Sequence, residues 1–243
     1  MEPVRAAPAP NPSLPRARAA AGGFAVALAT AQDEAPRARG VALSGVGRPW
    51  QSVPNGEFRQ RIAQAERSAE HAQDGYTQRN PRSGALGRYQ FLPNTLFDLG
   101  WKRADGSWTA LAERHNIRSE ADFLANPAAQ EAAMSQFLRR VEIQLERNGA
   151  LTRQGTQVQA LNGETITLTE GAMVAAAHRR GAGTLARYLA HRTTTPDAPL
   201  TPRERNAFQA VERRLQDFIP IAYASMRTPT PRSLAATATP PTS

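Results

Sequence analysis

The stretch "GALGRYQF", residues 84 to 91, interrupts a polar, arginine-rich chain with two glycines three residues apart and a Tyr-Gln-Phe run. Two glycines let the backbone come close to another group, and a tyrosine beside a glutamine offers a flat ring next to an amide. That combination suits a sugar ligand, and it also suits an ordinary turn. The segments on either side of this stretch decide between the two interpretations.

Upstream lies a predicted amphipathic helix. Asn55 can cap it, and the apolar residues Phe58, Ile62, Ala65 and Ala69 follow at spacings of four, three and four, which places them on one helical face. Glu66 lies at the edge of that face. Partial burial there would raise its pKa and let a glutamic acid donate a proton near neutrality. Position alone fits a boundary glutamate with its head in water more often.

Downstream, capping signals predict further helices. Pro93 and Gly100 bracket a short helix over 93–99, and Ser119 with Asp122 forms a predicted capping box. Asn126-Pro127 begins a long helix that Asn148-Gly149 ends, and Thr169 begins another helix. Thr201-Pro202 begins the last helix, which is predicted to reach about residue 225. Its core face carries Phe208, Val211, Leu215 and Phe218.

One segment departs from helical periodicity. The stretch "QVQALNGETITL", residues 157 to 168, alternates around an Asn-Gly dipeptide, which is the strongest short hairpin signal. The predicted fold class is therefore all-α: a helical domain with one small β-hairpin.

Composition favours one domain with two arms. The chain has 243 residues, of which 40% are hydrophobic, and no cysteine, so a disulfide framework and thiolate chemistry are excluded. Residues 1–48 and 227–243 are rich in Pro, Ala, Arg or Thr, and we expect both to be disordered tails. The predicted domain spans 49–226, and the N-terminal tail is a basic arm.

The charge is strongly positive, +9 with a pI near 11.1, and Lys102 is the only lysine. Such a chain attracts polyanions, but the absence of a nucleic-acid-binding motif favours biased composition over a specific nucleic-acid surface. No apolar run reaches membrane-spanning length. Residues 19–31 resemble a weak signal-peptide core behind an unusual proline-rich leader; the alternative is a docking segment within the arm.

Three motifs in order carry a family resemblance. They are a phenylalanine eight residues before Glu66, the run "NPRSGALGRYQFLP" from 80, and "ITLTEGAMVAAAHRRGAGTLARYL" over 166–189, with "FLANPAAQEAAM" (123–134) as the helix between. This order resembles a lytic transglycosylase of the lysozyme-like superfamily, of the phage or envelope-machine type. The resemblance covers about 58 to 190 and implies a lysozyme-like domain.

The resemblance also implies roles. Glu66 would be the sole catalytic acid, Gly84 and Gly87 would let the loop approach the glycan, and Tyr89 and Gln90 would contact sugar. The later motif would form the second wall of the glycan cleft. There His178 would make a polar contact to sugar or be an ordinary helix histidine with its hydrogen bonds satisfied. Gly181 would let this wall approach the glycan closely. Ser68 would be a further substrate-site residue, although Arg67 separates it from Glu66, whereas the family's serine directly follows its glutamate and helps to place the acid and its water. Ala177-His178 replaces the more common Tyr-Asn, and Phe91 is better explained as core.

The expected mechanism depends on the lack of a second carboxylate that could act together with Glu66. Asp74 and Asp98 are better explained as loop or surface residues than as the second carboxylate a hydrolase needs. The resemblance implies instead that the substrate's muramic C6 hydroxyl attacks, giving 1,6-anhydro ends without cofactor or metal. The expected partner is peptidoglycan in the periplasm or cell wall, reached by export or with a phage-like particle or envelope machine. The alternatives are a muramidase, a non-catalytic glycan-binding or structural module, and a nucleic-acid binder.

Overall fold

The computed structural model describes residues 47 to 227, and this part of the chain is mostly helical with one small sheet. Its strands pair antiparallel, with Val158 opposite Ile166. The elements are α1 Gly56–Ala65, α2 Pro93–Asp98, α3 Ala110–Glu113, α4 Glu120–Ala125, α5 Pro127–Arg147, β1 Gln157–Gln159, β2 Thr165–Thr167, α6 Glu170–Arg180, α7 Ala182–Thr194 and α8 Pro202–Phe218.

The capping signals account for most helix ends. Side chains of four predicted caps accept a hydrogen bond from the backbone three residues on: Ser119, Asn126, Thr169 and Thr201. Such bonds satisfy N–H groups that a helix start leaves unpaired. The Asn-Gly hairpin is confirmed as well, because Gly163 takes a φ of +86° in its turn.

The predicted helix cap at Asn55 is wrong. It precedes α1 in a left-handed conformation and makes no side-chain cap. Its amide instead donates to the carbonyl of Ala224 at 2.9 Å and accepts from the Ala224 N–H at 2.7 Å. A long-range contact has therefore replaced the local one that the sequence predicts.

The last helix ends earlier than predicted, at Phe218 rather than about 225. Pro220 lacks the N–H that would continue it. Residues 221 to 227, here called the C-terminal strap, run back over α5 without helical structure. There the Tyr223 hydroxyl and the Met226 N–H donate to the buried carboxylate of Glu142, and the strap holds the start of α1 through Ala224.

The centre of the core is α6. Gly171 to His178 are all buried, and small residues let α5, α7 and α8 pack closely around this helix. Because the helix is enclosed, its C-terminal end presents His178 and Arg179 at a fixed place beside the end of α1. The apolar face of α8, from Phe208 to Phe218, is buried against the same core.

The predicted arms, except for residues 47, 48 and 227, lie outside the described residues, as does the signal-like segment 19–31. Arg48 pairs with Asp74 at 3.4 Å, and Arg227 pairs with Glu146 at 3.1 Å and Glu170 at 3.0 Å. Among residues 47 to 227, no helix combines the length and apolar character needed to cross a bilayer.

Candidate functional site

Glu66 lies at the junction of three helices. It follows α1 directly as its C-terminal cap, and its side chain has 0% of its surface exposed. The sequence predicts partial burial of Glu66 at the edge of the apolar face, and the burial of its side chain is complete. The carboxyl points inward, toward the end of α6 and the middle of α8.

Two guanidinium groups and one imidazole surround this carboxyl. Arg214 of α8 donates from Nη2 to Oε1 at 3.0 Å. Arg179 Nη1 lies 3.9 Å from Oε2, and His178 Nδ1 lies 3.9 Å from Oε1. The structure thus brings together Glu66 and His178, the polar residues that the two sequence motifs contribute.

The protonation of the site follows from its burial. Burial raises the pKa of Glu66, while the charges of Arg214 and Arg179 lower it in part. Burial, together with the same two guanidiniums, lowers the pKa of His178 to about 3, so its imidazole is neutral. Glu66 Oε2 and His178 Nδ1 are buried and make no hydrogen bond within the described structure. These two atoms are available to a ligand that reaches them.

Ser68 holds the turn after Glu66 in place. Its buried hydroxyl lies within hydrogen-bonding distance of the carbonyl oxygens of Ala63, at 3.0 Å, and Arg88. The hydroxyl for which a substrate contact is predicted is thus engaged by two backbone carbonyls. The hydroxyl ties the turn that carries Glu66 to the glycine-rich stretch.

The two glycines of the loop differ in what requires them. Gly84 and Gly87 both have a positive φ, +69° and +71°, a conformation that suits glycine. A Cβ at Gly87 would lie 2.0 Å from Oε1 of Gln130, whereas at Gly84 the nearest atom would be 3.9 Å away. The close approach predicted for a glycan at Gly87 is taken instead by a buried glutamine of α5.

Tyr89, for which a sugar contact is predicted, faces the core. Only 1% of its surface is exposed, and its hydroxyl donates to Glu131 at 2.6 Å. Tyr76 donates to the same oxygen at 2.5 Å, and Arg59 pairs with the other at 2.7 Å. This hydrogen-bonded network beneath the loop leaves Tyr89 no surface for a sugar.

Gln90 and Phe91 complete the loop. Gln90, for which a sugar contact is predicted, is 6% exposed, and its amide donates to the carbonyl of Gly87 at 2.9 Å within the loop. Phe91 is buried among aromatic side chains, as expected for core. The stretch that suggested a sugar wall therefore folds as a rigid support behind the turn of Glu66.

The second predicted wall lies where α6 meets α7. His178 is 2% exposed and packs edge-on against Phe137, with the ring centroids 5.2 Å apart. Gly181 ends α6 and begins α7 with a φ of +81°, so it makes the sharp turn between these helices. Of the predicted residues, His178 alone stands beside the Glu66 carboxyl.

Three charged residues at or near the site were not predicted from the sequence. Arg214 and Arg179 contact Glu66, and Glu131 organises the network around Tyr89. A signal was present for two of them. Arg214 stands three residues after Val211 and four before Phe218, within the apolar face of α8, and Glu131 stands three residues before buried Met134. A charge at such a position is buried and paired.

Comparisons with protein-family models, with curated proteins and with solved structures gave no match. A surface hollow of about 510 Å³ lies at the start of α5, lined by Pro49, Asn116, Asp122, Ala125, Asn126, Pro127 and Ala128. Its one carboxylate, Asp122, is engaged in the capping box of α4. Within residues 47 to 227, no three His, Cys, Asp or Glu side chains form a group that could hold a metal ion. The cluster around Glu66 is therefore the candidate site.

Proposed function

We propose that this protein is a peptidoglycan lytic transglycosylase with a lysozyme-like domain. It cleaves the β-1,4 bond between N-acetylmuramic acid and N-acetylglucosamine and leaves 1,6-anhydro ends. One observation carries the proposal: a buried carboxyl, Glu66, faces a neutral imidazole, His178, at 3.9 Å, and both residues come from the motifs of the resemblance.

The chemistry requires one acid. Burial keeps the Glu66 carboxyl protonated to higher pH, so that it can donate to the leaving glycosidic oxygen. The resulting carboxylate then removes the proton of the substrate's muramic C6 hydroxyl. The charges that act on Glu66 within the described part of the chain are guanidiniums. A lone glutamate suits an intramolecular attack better than hydrolysis, which uses a second carboxylate.

Arg214 covers the acid in this state. Its guanidinium occupies Oε1 of Glu66, and the carboxyl has no exposed surface. A glycan reaches the carboxyl only when Arg214 withdraws. Withdrawal also removes a positive charge that lowers the pKa of Glu66, and the glycan that replaces Arg214 must keep water out if burial is to hold that pKa up.

The burial of Glu66 and its pairing with Arg214 also favour a second candidate function, that of a non-catalytic glycan-binding or structural module. A buried carboxylate paired with an arginine at 3.0 Å is also a structural ion pair, and removal of one partner from such a pair is strongly destabilising. In this alternative Glu66 joins α1 to α8 and performs no chemistry.

Digestion of purified sacculi followed by mass analysis separates these functions. The proposal expects soluble fragments with 1,6-anhydro ends from the wild type, none from Glu66→Gln, and wild-type products from Glu70→Gln, which alters an exposed carboxylate four residues on. Reducing ends would instead identify a muramidase. Binding to sacculi without release of fragments would identify the module.

The proposed place of action is the periplasm or cell wall. An arginine-rich chain of net charge +9 is attracted to the acidic polymers there. The proposed route is carriage by a phage-like particle or an envelope machine through the N-terminal arm, or export. Fractionation of cells that produce the full chain, with and without residues 1–46, tests whether the arm directs it.

A further inference from the structure

Arg88, the arginine of the stretch 84–91, has no part in the proposed chemistry, yet none of its surface is exposed. Three aromatic rings surround its guanidinium, with the centroids of Trp50, Tyr76 and Tyr89 at 5.3, 5.5 and 5.8 Å from its Cζ atom. Cation–π contacts of this kind stabilise a charge that has been removed from water. The protein therefore encloses a permanent cation in its interior.

The guanidinium of Arg88 joins the two segments that flank Glu66. Its Nη2 donates to the side-chain oxygen of Gln60 in α1, six residues before Glu66. Its Nη1 donates to the carbonyl of Asp74, eight residues after Glu66, at 2.7 Å. Because a guanidinium is planar and rigid, these two bonds fix the separation of the two oxygens.

The backbone of Arg88 holds the turn between these segments. Its carbonyl accepts a hydrogen bond from the hydroxyl of Ser68, and its N–H donates to Oε1 of Gln130 in α5 at 3.0 Å. One residue thus connects the turn that carries Glu66 to the longest helix of the fold.

The segment between Gln60 and Asp74 contains backbone that needs support. Arg67, Gln73 and Asp74 have φ values of +56°, +52° and +54°, in the left-handed region that residues with a side chain seldom adopt. Such conformations persist where the surrounding structure holds them in place. Arg67 directly follows Glu66, so relaxation of its backbone would change the direction of the Glu66 carboxyl.

We propose that Arg88 is a positioning residue for Glu66: its guanidinium fork holds the strained turn, which keeps the carboxyl buried among α1, α6 and α8. Arg88 acts through Gln60, Ser68 and Asp74 rather than by touching the carboxyl itself. The consequence for cleavage rests on the proposed function, whereas the effect on the burial of Glu66 does not.

Arg88→Lys keeps the charge and removes the fork, and it leaves the charged and titratable groups that face Glu66 unchanged, namely His178, Arg179 and Arg214. We expect water to reach the carboxyl, so that its pKa moves down toward the ordinary value. An acid that loses its proton at lower pH should move the falling limb of the pH profile to lower pH. We also expect kcat for glycan to fall about tenfold to a hundredfold, with KM little changed.

Arg192→Lys is the matched control, because the Arg192 guanidinium also joins two oxygens, the backbone carbonyls of Gln159 and Ala160 in the hairpin. It should lower stability without moving the limb. Gln60→Met removes only the acceptor of Arg88 Nη2 and should move the limb in the same direction by a smaller amount. This milder variant keeps the test decisive if Arg88→Lys does not fold.

An NMR titration of the Glu66 carboxyl carbon, assigned by comparison with Glu66→Gln, measures the same effect without catalysis. The carboxyl should titrate at lower pH in Arg88→Lys than in the wild type, and at the wild-type pH in Arg192→Lys. Equal titration in the wild type, Arg88→Lys and Gln60→Met would overturn the inference. So would a loss of kcat in Arg192→Lys as large as that in Arg88→Lys at matched folded fraction. A wild type that releases no fragments would defeat the proposed function, and the titration would still decide this inference.

Discussion

A carboxyl removed from water holds its proton more tightly, and at the scale of single residues this effect governs Glu66. Burial raises its pKa, and Arg214 and Arg179 oppose the rise. The neutral His178 adds no charge, because its own pKa is lowered to about 3. Arg214 therefore both covers the Glu66 carboxyl and opposes the rise in its pKa.

The pH profile of cleavage should report this balance. A general acid acts when protonated, so activity should fall as pH rises through the raised pKa of Glu66. Arg214→Gln removes a charge that favours the carboxylate, and the falling limb should move to higher pH. The measurement is the rate of fragment release from sacculi against pH. In the control Arg205→Gln, which removes an exposed charge from the first turn of α8, the falling limb should stay at its wild-type pH. A limb that also stays in place in Arg214→Gln would contradict the role given to Arg214.

Tyr89 should affect stability rather than catalysis. Tyr89→Phe removes the donor to the buried Glu131, and we expect urea unfolding to show a loss of about 1 to 3 kcal/mol in the free energy of unfolding. The KM for glycan should stay unchanged at temperatures where the variant is folded. Tyr76→Phe, which removes a second donor to the same oxygen, is the matched control. A rise in KM for Tyr89→Phe alone would restore the predicted sugar contact.

At the scale of elements, the loop of residues 84–91 supports the site through close packing. Gly84→Ala and Gly87→Ala both place a side chain at positive φ, which costs about 1 to 2 kcal/mol. Gly87→Ala must also displace Gln130, whose side chain bonds Arg88, Tyr76 and Phe123. Denaturant unfolding should therefore show a clearly larger loss for Gly87→Ala. Equal losses would mean that the contact with Gln130 is unimportant.

The C-terminal strap fastens α1 to α5, and its removal should be costly. A chain ending at Pro220 leaves the buried carboxylate of Glu142 without Tyr223 and Met226, which we expect to lower the free energy of unfolding by about 3 to 5 kcal/mol. A chain ending at Arg227 keeps these contacts and is the control. Thermal unfolding of the two compares them. Similar melting temperatures would show that the strap contributes little.

For the whole molecule, local signals predicted the elements well. Caps such as Ser119 and Thr201 act within three residues, so the sequence alone reveals them, and the Asn162-Gly163 turn is equally local. Periodicity predicted the buried face of α8. It also placed Glu66 at an apolar face, although its full burial depends on helices far along the chain.

What the sequence could not reveal was the choice of partner at long range. Asn55 has a local use as a cap, yet it bonds Ala224, 169 residues away. Tyr89 is equally suited to a sugar and to Glu131, and only the packing of α5 decides between them. Arg214 reaches Glu66 from 148 residues away. Polar side chains accept several partners, so their spacing predicts burial better than it predicts contacts.

The rate of Glu66→Gln most directly tests the central claim that this buried carboxyl is the catalytic acid. At matched folded fraction, we expect the variant to release 1,6-anhydro fragments from sacculi at least about a hundredfold more slowly than the wild type, with Glu70→Gln at the wild-type rate. A Glu66→Gln protein that releases the same fragments at the wild-type rate would contradict the account.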